Sequence, residues 1–179
     1  MTNQLEIKLL SDNATMPTRD RLDAGYDIYS AETLILEPQE KAVIKTDVAV
    51  NIPEGYVGLL TSRSGVSSKT HLVIETGKID AGYQGNLGIN IKNDIGTLQD
   101  EYETIKDKNG NDISVYITKN IKGEKTNGCH SLPNTYIVHE GDKLAQLVIV
   151  PIWTPELIQV DEFHTESERG SDGFGSTGY

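Results

Sequence analysis

The chain has 179 residues, enough for one domain with a sizeable core and no need of a disulfide scaffold. Its 16 Lys and Arg stand against 27 Asp and Glu, a formal net charge of −11, which excludes recognition of nucleic acid through a broad basic face. Phosphates would have to be met locally, by backbone amides, a few Arg side chains or a metal ion. The lone Cys129 excludes an internal disulfide and a multi-cysteine zinc cluster, and suits a reducing compartment.

No signal-peptide pattern opens the sequence, and the longest apolar stretch, Leu147 to Trp153, is too short to cross a bilayer. A soluble, cytoplasmic protein with neither nucleic acid nor membrane as partner is expected. In chain order, Asp23-Ala24-Gly25-Tyr26-Asp27 comes first, and its Asp27 reads either as a turn residue or as a metal-facing carboxylate. Brief apolar or β-branched runs follow at Leu34–Leu36, Ala42–Ile44, Val48–Val50 and Tyr56–Leu60, separated by breakers such as Glu37-Pro38-Gln39 and Pro53-Glu54-Gly55.

After Thr61 a helix of a turn or two is expected, capped by Ser62 or Ser64. Thr61-Ser62-Arg63-Ser64-Gly65 brings a helix start, hydroxyls and a guanidinium together, the parts of an anion site; an ordinary capped turn with an exposed Arg has the same sequence. Beyond the run Leu72–Ile74, Gly77 to Gly85 reads as a hairpin from which Asp80 projects with Tyr83 nearby. An ionised carboxylate can accept a proton from water, and a Tyr offers a flat apolar face to a sugar or base. A turn-satisfying Asp beside a core Tyr is the competing reading.

Leu87 to Lys92 alternates with period two, as a strand with one buried face does, and Leu144 to Pro151 reads as a more fully buried strand. Between them, residues 94–133 are rich in Asn, Lys, Asp and Gly, with turns at Asn109-Gly110 and Gly123 and a strand at Ile113–Ile117. A surface insert with a small hairpin of its own, rather than a core element, is expected. Residues 165–179 form a Gly- and Ser-rich acidic end. Gly173 to Gly178 matches GxGxxG, but only Tyr179 follows, so the helix of a dinucleotide site has no room. With Arg169 it has the composition of a closing phosphate clamp or of a disordered tail. The four histidines show no metal-ligand spacing. Many short, turn-punctuated strands and no sustained helical period indicate an all-β barrel or sandwich.

Taken in order, DAGYDIYS, SRSG, GKIDAGYQG, GDKLAQL and RGSDGFGSTG resemble the five motifs of the trimeric all-β dUTPases, and the 94–133 insert resembles that of temperate-phage members. The resemblance implies an all-β, jelly-roll-like β-barrel with one short helix over residues 1–164, and a flexible arm, 165–179, closing over a neighbouring subunit's site in a homotrimer. It implies Mg2+-dependent hydrolysis of dUTP to dUMP and pyrophosphate, which keeps uracil out of DNA. Asp80 is then the general base for water. Tyr83 packs under the deoxyribose, and the backbone at Gly77 and Ile79 reads uracil. Arg63, Ser64, Gly65 and Gln146 hold phosphates, and Asp27 holds Mg2+ through water. Arg169, Ser176 and Thr177 clamp the γ-phosphate while Phe174 stacks on uracil beside Gly175.

Three positions depart from the pattern. Ile74 stands where many members place an Asn that touches uracil, Lys143 replaces an Arg, and Thr61-Ser62 lacks the usual Pro. Two other functions share these features: a dCTP-deaminase-type enzyme, and a regulatory protein binding the repressor of a mobile element, as phage dUTPases of this inserted kind are implied to do.

Overall fold

The computed structural model describes residues 4–96, 102–130, 132–167 and 170, with the backbone alone for 127–130. The strands are β1 (Glu6–Leu9), β2 (Tyr26–Tyr29), β3 (Leu34–Leu36), β4 (Lys41–Lys45), β5 (Val48–Asn51) and β6 (Tyr56–Ser62). After the helix α1 (Ser64–Lys69) come β7 (Leu72–Ile74), β8 (Gly77–Ile79), β9 (Gly88–Asn93), β10 (Tyr102–Lys106), β11 (Asp112–Lys119), β12 (Lys125–His130), β13 (Tyr136–Val138) and β14 (Lys143–Pro151). The fold is all-β and jelly-roll-like, as expected, with sheets ordered β1-β5, β2-β14-β6-β8, β4-β9-β7 and β10-β11-β13-β3, the last with β12 beside β11.

Period-two patterning builds the core. In β9, Ile89 and Ile91 point inward beside Ile44, Leu72 and Leu36, all essentially without solvent exposure. Each such side chain stabilises the fold by roughly 1.5–3 kcal/mol relative to an exposed one. Ile74 belongs to this same core. Its side chain is almost entirely buried among these apolar neighbours.

β14 is less buried than its apolar run suggests. Leu144, Ala145 and Leu147 are inside, but Val148 to Val150 are half-buried, because β2 covers only the Lys143–Leu147 end and β6 alone pairs the rest. The helix is also capped differently. Arg63 is its N-cap, in extended conformation and without a side-chain cap bond, so neither Ser62 nor Ser64 serves. Val66 anchors the helix in the core, and Ser67 and Thr70 return their hydroxyls to Arg63 O and Val66 O at 3.3 and 2.7 Å.

The insert is more than a free hairpin. β10, β11 and β12 form an antiparallel ribbon, and β11 meets β13 in parallel at Lys119 and Tyr136. Ile121 enters the core cluster, which ties the ribbon's inner end to the body. Its base is closed by one side chain: the buried Asn93 donates through Nδ2 to Asn134 O at 3.0 Å and to Leu36 O at 3.1 Å.

Candidate active site

Hydrogen-bond register places two expected site positions, Asp27 and Gln146, side by side. Gln146 of β14 lies opposite Asp27 of β2 on one flank and opposite Thr61 of β6 on the other. Two residues beyond Thr61 the chain leaves β6, and Arg63 N–H still donates to Leu144 O at 3.4 Å before α1 begins. That extended residue lets the guanidinium turn back toward β2. Its Nε lies 2.7 Å from Asp27 Oδ1, while Lys143 Nζ donates to Oδ2 at 3.0 Å.

Asp27 is therefore a mostly buried carboxylate between two cations. The hydrogen bond to Asp27 holds Lys143 above the ordinary lysine value, so its ammonium stays charged at neutral pH. Two positive groups around one negative leave local positive charge in a protein of net charge −11. Ser64 and Gly65 beside them are exposed, and as first-turn residues their amides have no intrahelical partner. A Cβ on Gly65 would meet nothing within 4 Å, so the approach to this turn is open. The capped-turn alternative is incomplete, since Arg63 is engaged with Asp27 rather than free in solvent.

The second group sits on β8 and the loop after it. Gly77 pairs with Leu60 and Ile79 with Gly58. Gly58 lets the strands pack closely, since a Cβ there would lie 2.5 Å from Ile52 Cδ1 and 3.2 Å from Ile79 Cβ and would displace the buried Ile52. Asp80 follows, exposed, and among the described residues nothing donates a hydrogen bond to its carboxylate. Tyr83 N–H donates to Asp80 O at 3.2 Å, and Gly82 takes the left-handed conformation, φ 82°, that the turn needs. Tyr83 is 47% exposed, which removes the core-Tyr alternative. Its hydroxyl donates to Asn86 O at 3.1 Å, and its ring covers Gly85 so closely that a Cβ there would be 2.5 Å from the phenolic oxygen.

Within one chain these groups do not meet. Continuing β8, Asp80 falls level with Val57, four residues along β6 from Thr61, about 14 Å away, and Asp27 lies two strands further across, about 10 Å. The chain thus holds a carboxylate-and-tyrosine group apart from a cationic group. A cleft of about 280 Å3 lined by Ser62, Ser67, Thr70, His71, Leu72, Val73, Ile74 and Asp94 includes neither Asp80 nor Asp27. Arg169, Phe174, Gly175, Ser176 and Thr177 lie outside the described residues. In the sequence Lys143 is only a departure from the family pattern; its bond to Asp27 has no linear signal, since 116 residues separate the two.

Comparison with known proteins follows the same lines. A family model described as dUTPase matches residues 12–99 and 130–178, passing over most of the insert. The mitochondrial deoxyuridine 5'-triphosphate nucleotidohydrolase of Homo sapiens is 35% identical over 98% of this chain, which spans 55% of that protein's length. A Staphylococcus bacteriophage 80alpha dUTPase with dUpNHpp is 62% identical with a TM-score of 0.85, covering 99% of this chain and 100% of that one. It is described among phage dUTPases that control transfer of virulence genes by a G protein-like mechanism. A variant of the phage phi11 enzyme of S. aureus, described for its coordination of a structural Mg(II) ion, is 62% identical with a TM-score of 0.79, covering 91% and 100%.

Proposed function

The chain belongs to the dUTPase family, and on that premise we propose that its two half-sites join across neighbouring copies into a centre that hydrolyses dUTP to dUMP and pyrophosphate. The observation that carries this reading is the separation of Asp80 and Tyr83 from Asp27, Arg63 and Gln146 within one chain, which a neighbouring copy would bridge. A homotrimer fits the segment after β14 as well. Trp153, Leu157 and Phe163 are about nine-tenths exposed on a single copy, an apolar surface that suits a protein neighbour.

In the joined site, Asp80 takes a proton from the water that attacks the α-phosphorus, and with no donor to its carboxylate among the described residues, its oxygens can orient that water. Tyr83 lies under the deoxyribose, and the backbone of Gly77 and Ile79 meets the uracil edge. Arg63, the first-turn amides of Ser64 and Gly65, and Gln146 hold the phosphates, so positioning and electrostatics supply most of the rate. Arg169, Ser176 and Thr177 close on the γ-phosphate, with Phe174 and Gly175 over the base.

Asp27 is the residue that would hold Mg2+. Both oxygens of this mostly buried carboxylate face cations, Arg63 and Lys143, so it would act through water once the phosphates of a nucleotide draw Arg63 away. Such an ion, when bound, spreads the charge of the departing pyrophosphate.

The test is a Mg2+-supplemented assay comparing dUTP, dTTP, dCTP and UTP. Pyrophosphate from dUTP alone is the expected outcome; ammonia from dCTP with dUTP untouched would make the protein a deaminase. In the first case the reaction removes dUTP and supplies dUMP in the cytoplasm of the cell that expresses it.

The likeness to the 80alpha protein favours a second role. The insert exposes Tyr102, Ile105 and Ile113 on its ribbon, and with the mouth of the site it forms the surface for a repressor of a mobile element. A pull-down against candidate repressors, with and without a dUTP analogue, reads this directly. Capture of none of them in either condition removes the second role.

A further inference from the structure

We propose that Asp47 and Asn86 are positioning residues for Tyr83, and that the clasp between them sets how strictly the enzyme rejects ribonucleotides. The inference rests on the reading that Tyr83 faces the sugar. Asp47 links β4 to β5 in a left-handed conformation, φ 51°, which Asp tolerates better than most residues. In that pose its backbone N–H donates to Asn86 Oδ1 at 2.9 Å while its Oδ1 accepts from Asn86 Nδ2 at 2.6 Å. The two bonds close a ring that fixes the amide of Asn86 in both position and orientation.

The clasp is itself braced. Ser11 Oγ donates to Asp47 Oδ2 at 2.6 Å, and Leu10 N–H to Asp47 O at 2.8 Å. On the other side Leu87, fully buried, donates to Val48 O at 2.8 Å and accepts from Thr46 Oγ1 at 2.8 Å. The carbonyl of Asn86 therefore has nowhere to move, and that carbonyl accepts the hydroxyl of Tyr83. Because Tyr83 is half exposed, burial alone does not hold its ring; the hydroxyl bond and the face of Gly85 do. A ring held at two points presents a fixed wall, and rejection of one extra hydroxyl on a sugar depends on that wall not yielding.

The experiment measures kcat/KM for dUTP and for UTP in the intact enzyme and five variants. Tyr83→Phe removes the hydroxyl bond to the Asn86 carbonyl, and Asn86→Ala removes the two side-chain bonds to Asp47 that brace that carbonyl; each should raise UTP turnover relative to dUTP by about fivefold to tenfold. Asp47→Asn keeps the left-handed residue and an acceptor for Asn86, so it should retain the ratio of the parent enzyme. Adding Asn86→Ala to Tyr83→Phe should change nothing further. Tyr83→Ala separates the two levels of the argument. If it leaves the ratio untouched, Tyr83 does not face the sugar. If it collapses the ratio while Asn86→Ala and Tyr83→Phe leave it intact, the clasp is not what positions the ring. Asn86→Asp, which keeps the size of the side chain but sets a second carboxylate against Asp47, takes the place of Asn86→Ala should the latter not fold.

Discussion

Arg63 Nε lies 2.7 Å from Asp27 Oδ1, yet its N–H is not aligned for a hydrogen bond to it or to any other described acceptor. The guanidinium is neutralised without being satisfied. An anion that offers aligned acceptors can therefore draw Arg63 away, while Lys143 remains on the other oxygen of Asp27. On the proposed reading, Arg63 waits against Asp27 for the phosphate it would hold.

Replacing Arg63 by Gln should lower kcat/KM for dUTP by about tenfold to a hundredfold, the range of a charge-assisted hydrogen bond. Steady-state kinetics with dUTP measures it. A value matching the parent enzyme would take Arg63 out of phosphate recognition.

Asp80→Asn removes the proton acceptor while keeping size and polarity. Turnover should fall by about 10²- to 10⁴-fold with nucleotide-analogue affinity little changed, as calorimetry would show. Near-normal hydrolysis assigns the base elsewhere.

Two groups give pH signatures of opposite sign. Lys143 is raised above 10.5 by its bond to Asp27, so that contact persists at neutral pH and is lost only as pH rises through the folded value. Asp107, in the β10–β11 turn, is lowered below 3.8, first by the backbone N–H of Asn111. Its contribution to the turn is present above 3.8 and lost as pH falls through the lower folded value. NMR titration of the two side chains should show an alkaline midpoint above 10.5 and an acid midpoint below 3.8.

Deleting residues 96–131 should leave dUTP hydrolysis within about twofold of the parent, because the distant Asp80 and Asp27 are held by other sheets. Some stability should be lost with Ile121, since removing a buried Ile costs roughly 2–5 kcal/mol. Thermal melting and activity on the same sample separate the two effects.

Truncation after Glu168 should yield a folded protein whose turnover is severely reduced. Circular dichroism alongside a pyrophosphate-release assay checks both halves; undiminished turnover would exclude the clamp.

Much of the fold was legible because period-two patterning and breakers are local. The runs at Leu34, Ala42, Val48, Tyr56, Leu72, Leu87, Ile113 and Leu144 all fall in strands. Short strands with mixed composition were not: β1, β10 and β12 exist through their partners rather than through any apolar stretch of their own. For the site, motif order pointed to Asp80, Tyr83 and Arg63 together, but no linear pattern reveals that one chain holds them apart. The pairing of Asp27 with Lys143, and the clasp under Tyr83, join residues far apart in sequence and became visible only in three dimensions.

The amide of Asn93 shuts the doorway through which residues 94–133 leave and return. An excursion sealed at its threshold can change in length and content while the body behind it keeps its shape. Such a chain can evolve at two tempos, one answering to the nucleotide and the other to whatever the excursion encounters outside.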